Sequence, residues 1–199
     1  MTLYASSTVF FLGILSTAYA VGLYSAGTRL EGVALTFVTM ALNQALFPII
    51  ANAFGQGRET GLKMVRTVFW PLLGGLGAVA AGLWIIAPWF IPFFFGEKFV
   101  DAIAVLRVVA LLPLVIGMSN LLGIHTMLNL HMDRPFFVIT AIGSAIGLVL
   151  NIFLIRHYGH LGAAWAWVGT EVYVLLAMGG FLLYKSREWT PEAVAELDH

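Results

Sequence analysis

Residues 136–155 read FFVITAIGSAIGLVLNIFLI, a stretch with no charged side chain, flanked by Asp133 and Arg134 on one side and Arg156 on the other. A helix needs about 20 apolar residues to cross the roughly 30 Å hydrocarbon core of a bilayer, so this stretch predicts a transmembrane helix. The same search along the chain predicts five more spans, giving 3–21, 32–54, 67–88, 108–128, 136–155 and 162–184. Pro88, Trp89 and Pro92 place the end of the third span near residue 88, with Trp89 to Phe95 as an aromatic belt at the interface. Arg107 places the first turns of the fourth along the membrane surface.

Composition agrees. Of 199 residues, 60% are hydrophobic and 10% charged, against about a quarter charged in a soluble domain; the mean hydropathy is +0.93. Ten basic residues balance ten acidic ones, which leaves no basic excess to hold nucleic acid by counterion release. Cysteine is absent, excluding disulfides and thiolate chemistry. No Lys or Arg precedes Arg29, so a cleaved signal peptide is not expected. The fold class is therefore all-α and polytopic, with residues 1–187 as one six-helix transmembrane lobe and 188–199 as a short tail. Arg58, Lys63, Arg66, Arg134, Lys185 and Arg187 fall on one side of such a topology and Arg29, Lys98, Arg107 and Arg156 on the other; the positive-inside rule then puts both termini in the cytoplasm.

Helices in lipid associate through small residues and polar contacts. Gly74, Ala78 and Gly82, and again Gly143, Gly147 and Asn151, recur every fourth residue and predict two packing stripes. Polar residues inside spans face a partner helix or a watery cavity. On the second predicted helix Gly32, Thr36, Thr39 and Asn43 form a polar face that continues from Arg29 and Glu31; it is either a cavity wall or a seam between helices. Glu171 is read as the carboxylate deep inside a span, either a protonatable coupling site or a neutral acid bonded to a neighbouring helix. Asn120, His125 and Asn151 are further polar groups that would meet a ligand or bond across helices. His157 and His160 have no third ligand near them in sequence, so no metal site is expected, and no cofactor. No catalytic arrangement stands out, and the chain is not expected to be an enzyme.

Four stretches resemble the second half of the polysaccharide flippases, the O-antigen and exopolysaccharide branch of the superfamily of multidrug, oligosaccharidyl-lipid and polysaccharide exporters. They are Phe11 to Ser16 leading to Ala20–Ala26 and Arg29-Leu30; Asn43 to Pro48 before Gly57-Arg58-Glu59; Pro92 to Phe99 followed by Ala102, Val105, Leu106 and Arg107; and Tyr158-Gly159, Gly162 to Ala164 and Glu171. The resemblance spans residues 5–185. It implies export of undecaprenyl-pyrophosphate-linked oligosaccharide across a bacterial inner membrane by alternating access between two six-helix lobes. Arg29 would attract the pyrophosphate, and Thr36, Thr39, Asn43, Asn120 and Asn151 would meet the sugars. One lobe alone would leave its polar face against lipid, so the resemblance further implies a truncated reading frame or dependence on an N-terminal partner lobe. Two other readings stand beside it: a cation-coupled small-molecule extruder working through Glu171, and a non-transporting scaffold or remnant.

Overall fold

The computed structural model describes residues 2–187, with side chains from 8 to 186; the predicted tail at 188–199 lies outside the described residues. All regular structure among them is helical: α1 (Thr2–Leu15), α2 (Ala18–Ala41), a π-helical turn (Leu42–Leu46), α3 (Phe47–Gly55), α4 (Arg58–Phe95), α5 (Ala102–Val109), α6 (Leu112–Leu122), a second π-helical turn (Gly123–Met127) and α7 (Asp133–Arg187). Four segments are long and apolar enough to cross a membrane: Ala18–Gly55, Arg58–Phe95, Ala102–Met127 and Asp133–Ser186.

Local chemistry sets the breaks. Thr17 takes an extended backbone conformation and accepts a hydrogen bond from Ala20 N–H at 3.2 Å, capping α2. Gly57 and Gly96 turn the chain at φ +135° and +85°, where a side chain would be strained. Pro48 has no N–H for the Gln44 carbonyl four residues earlier, and the π-helical turn at 42–46 sits where that bond is missing. In the second π-helical turn the Thr126 hydroxyl donates to the Leu121 carbonyl at 2.7 Å.

α7 is not a single rod. Gly159 leaves the helical region at φ 54°, ψ −128°, and its two arms fold back on each other: Gly143 lies against Val174, Leu150 against Gly169, and the backbone of Gly162 against the Leu154 carbonyl. Those pairings run antiparallel, and no side chain would fit at Gly162 beside that carbonyl. Ser16 lies next to Gly159, so the start of α2 and the tip of the hairpin share one end of the molecule.

Two predicted boundaries move. The stretch 22–31, expected to link the first two spans, is continuous helix within α2, and the chain turns instead at Ser16 and Thr17. The third span continues through Pro88 and Pro92 to Phe95. One face of α5 packs into the protein: Ala102, Val105, Leu106 and Val109 are buried while Ala104 stays exposed, and Gly27 lets α2 approach it so closely that a Cβ there would sit 2.6 Å from Val105 Cβ. Arg107, expected to snorkel, holds its guanidinium 4.4 Å over the Trp84 ring, a cation–π contact.

The main core joins Leu12, Leu23, Tyr24, Ile91, Leu106 and Ile116 with Ile155 and Val168 of the hairpin. Phe37, Trp70, Phe93, Phe137, Val149 and Leu176 point outward, as side chains facing lipid do. Of the two predicted stripes, Gly143 packs on Val174, whereas Gly74, Ala78 and Gly82 lie open on α4. Gly27→Val should therefore cost about 1–3 kcal/mol through overpacking, and Gly74→Val close to nothing. Thermal unfolding of both variants in detergent, followed by circular dichroism, checks this.

Candidate functional site

α2 carries the site because successive residues turn by about 100° around a helix. Ser25, Arg29, Gly32, Thr36, Thr39 and Asn43 fall within a strip roughly 80° wide on that rule. Arg29, Thr36 and Asn43 are exposed and Thr39 is half-buried. Ser25, Thr28, Arg29, Gly32, Val33 and Thr36 line an open groove of about 490 Å³. Val33, Phe37 and Met40, all exposed, form an apolar strip beside it.

Polarity in the groove is mostly self-contained. Thr36 donates to the Gly32 carbonyl at 2.8 Å and Thr39 to the Leu35 carbonyl at 2.9 Å. Their hydroxyls keep free lone pairs, so toward a ligand they are acceptors. Arg29 is the cation of the groove, a donor fork on its open side. At 1.5 Å per residue it lies about 18 Å from Thr17 along α2. Each arm of the α7 hairpin, measured the same way, is about 39 Å long, so Arg29 sits near the middle of the lobe's depth.

Other predicted site residues are not brought to this groove. Asn120 is half-buried on α6. Asn151 is buried in the hairpin; its amide donates to the Gly147 carbonyl at 2.9 Å and its Oδ1 has no hydrogen-bond partner. Glu171 is half-buried on the second arm of α7, one turn after Trp167. His125 is fully buried with neither ring nitrogen hydrogen-bonded, 5.7 Å from the Phe47 ring. His157 is held by the Phe153 carbonyl at 2.8 Å. His160 lines a separate groove of about 650 Å³ with Asp101 and Arg107, at the end of the molecule where α5 begins.

Glu31 is the residue the sequence reading misplaced. Joined there to Arg29 in one polar face, it points about 200° away from it, and it is 0% exposed with no hydrogen-bond partner for either carboxylate oxygen. Glu171 is thus not alone as a deep carboxylate. The available signal was the spacing of Tyr24, Gly27, Glu31 and Leu35, which puts Glu31 on the apolar face of α2.

A family model described as polysaccharide biosynthesis protein matches residues 1–104. The chain belongs to that family. A curated relative from Escherichia coli (strain K12), named "Putative O-antigen transporter", is 26% identical over 178 residues, which cover 89% of this chain and 43% of that protein. The chain thus spans less than half the length of this relative. No solved structure matches it significantly. Family membership and the apolar helices together make the chain a multi-pass membrane protein of polysaccharide biosynthesis.

Because the chain has no native cysteine, the two faces of α2 are open to a direct check. Single cysteines at Ser25, Arg29 and Thr36 of the detergent-solubilised chain should react freely with a water-soluble maleimide. Cysteine at Glu31 or Leu35 should react at least about tenfold more slowly, since local opening must come first. Equal rates on both faces would contradict the assigned register.

Proposed function

We propose that the chain forms the C-terminal lobe of a flippase, with six membrane crossings counted by taking the α7 hairpin as two. It would carry undecaprenyl-pyrophosphate-linked oligosaccharide across the bacterial inner membrane by alternating access, with both termini cytoplasmic. The observation that carries this reading is Arg29, a cation exposed near mid-depth on the outer face of α2. Facing lipid, such a group would be costly at that depth. Facing a water-filled cavity closed by a second lobe, it is an anion-binding group of the kind a pyrophosphate needs.

The E. coli relative supports the reading by its name and its length, since more than half of that protein has no counterpart in this chain. The small-residue stripe Gly74, Ala78 and Gly82, open on α4, offers a further surface against which a partner helix would pack closely. In this arrangement Arg29 attracts the pyrophosphate, Thr36 and Thr39 accept hydrogen bonds from sugar hydroxyls, and Asn43 donates and accepts, whereas Asn120, half-buried on α6 away from the groove, is not assigned to the sugars. Asn151, buried and bonded to its own helix, belongs to the packing of the hairpin rather than to the sugars.

Expressed alone in a strain lacking its flippase, residues 1–199 should not restore surface polysaccharide; joined to an N-terminal lobe they should. Arg29→Ala in the complete protein removes a charged hydrogen bond of about 1.5–3 kcal/mol, so export should fall roughly ten- to a hundredfold, with Arg29→Lys retaining part of it. Surface polysaccharide measured by gel and glycan staining decides between the readings. Undiminished export by Arg29→Ala would overturn the role of Arg29, and rescue by the lone chain would overturn the need for a second lobe.

A further inference from the structure

The geometry points to the groove between α5 and the second arm of α7 as a binding site for one phospholipid headgroup of the phosphoethanolamine type, which carries a phosphate and a primary ammonium. Asp101, Ile103, Ala104 and Arg107 line one side of this groove and His160 and Leu161 the other, around about 650 Å³, within the size range of small-ligand sites. α5 divides cleanly around its axis. Ala102, Val105, Leu106 and Val109 are buried, whereas Ile103, Ala104, Arg107 and, just past the helix end, Leu111 fall within about 100° on the opposite face. Arg107 is the only charge on that outward face.

The cation lacks a counter-charge on its own side of the groove. Among the described residues, Arg107 Nε has no hydrogen-bond partner. The Trp84 ring, 4.4 Å from the guanidinium, orients the cation and carries no charge to offset it. Trp84, Ile85 and Ile86 are themselves exposed, so hydrocarbon adjoins this side of the lobe. A guanidinium beside hydrocarbon is costly unless an anion or water reaches it, and the anion a bilayer offers all along its surface is lipid phosphate. The planar guanidinium fork matches phosphate oxygens two at a time.

Asp101 decides which lipid. It is exposed at the mouth of the groove, just before the first turn of α5, and its side chain caps no backbone N–H. Arg107 lies about 9 Å further along the helix. The groove thus carries a negative charge at its mouth and a positive charge deeper, and a headgroup with phosphate next to its acyl chains and ammonium at its tip presents the complementary order. A primary ammonium donates hydrogen bonds to a carboxylate; a trimethylated one has no N–H to donate, and an uncharged glycerol tip leaves Asp101 facing the phosphate with no cation between them. The His160 ring supplies one more N–H donor at the mouth. Leu111 and Trp165, exposed one turn deeper than Arg107 and Leu161, give the acyl chains apolar walls. The site needs only that the chain spans a membrane, so it stands apart from the flippase reading.

Native mass spectrometry of the full 199-residue chain, released from detergent after titration with phosphatidylethanolamine, phosphatidylcholine or phosphatidylglycerol of matched acyl chains, tests it without any transport assay. The first phosphatidylethanolamine should bind about tenfold or more tightly than either other lipid, and Arg107→Gln should weaken it by about tenfold or more through loss of a charged hydrogen bond. Asp101→Asn should abolish the preference, with phosphatidylglycerol binding at least as well as phosphatidylethanolamine. If circular dichroism shows that Arg107→Gln is misfolded, Asp101→Asn, at an exposed position, carries the test alone. Equal binding of the three lipids by the wild type would overturn the proposal, as would undiminished binding by a folded Arg107→Gln or a preference that survives Asp101→Asn. Tighter binding of phosphatidylglycerol by the wild type would also overturn it, by making the groove a site for anionic lipid. So would displacement of the bound lipid by an equal concentration of glycerophosphoethanolamine, which would show a free headgroup to be the occupant.

Discussion

A polar group within a bilayer must find its partner inside the protein, because hydrocarbon offers none. Most of the hydroxyls in these helices meet that demand on their own backbone. Thr28, Thr36, Thr39, Ser119, Thr140, Ser144 and Thr170 each donate to a carbonyl one turn earlier on the same helix. Such residues need no neighbour and dictate no packing. Groups that cannot turn back on themselves in this way are few, and α2 carries two of them, Arg29 and Glu31. A guanidinium and a carboxylate at that depth each require something beyond their own helix, and they face opposite ways.

Close backbone approach fixes where the interior lies. Gly27 admits α5, Gly117 admits Leu76 of α4, and Gly143 and Gly162 bring the arms of the hairpin together. Each contact is a place where a side chain on the glycine would force helices apart, so the small residues determine which faces turn inward. The buried face of α2 follows from Gly27 meeting α5: Glu31 and Leu35, one and two turns along, are carried inward with it. Glu31 is buried because its helix is packed, not because a partner drew it in.

Much of this was legible in the sequence. Apolar runs between charges located the helical segments, and Gly159 with Gly162 marked the turn of the hairpin. The link expected at 22–31 was misread for a physical reason: Gly22, Gly27, Arg29 and Glu31 resemble a loop by composition, whereas helical spacing separates them into a glycine contact, an outward cation and an inward acid. Composition weighs residues by type, and only the angle around the helix tells Arg29 from Glu31. The open face of Gly74, Ala78 and Gly82 was beyond sequence reading as well, since a small-residue repeat looks the same whether its partner lies in this chain or elsewhere.

The outer surface of α2 shows where lipid would give way to something more polar. Val33, Phe37 and Met40 lie on one flank, and Arg29, Thr36 and Asn43 on the other, a third of a turn or less away. Lipid solvates the first flank well and the second poorly. A boundary between hydrocarbon and a wetter space must then run lengthwise along this single helix, at the edge of the Arg29 groove. Helices that close such a space have to meet α2 along that line, and the width of the polar strip sets how much of the helix they leave to water.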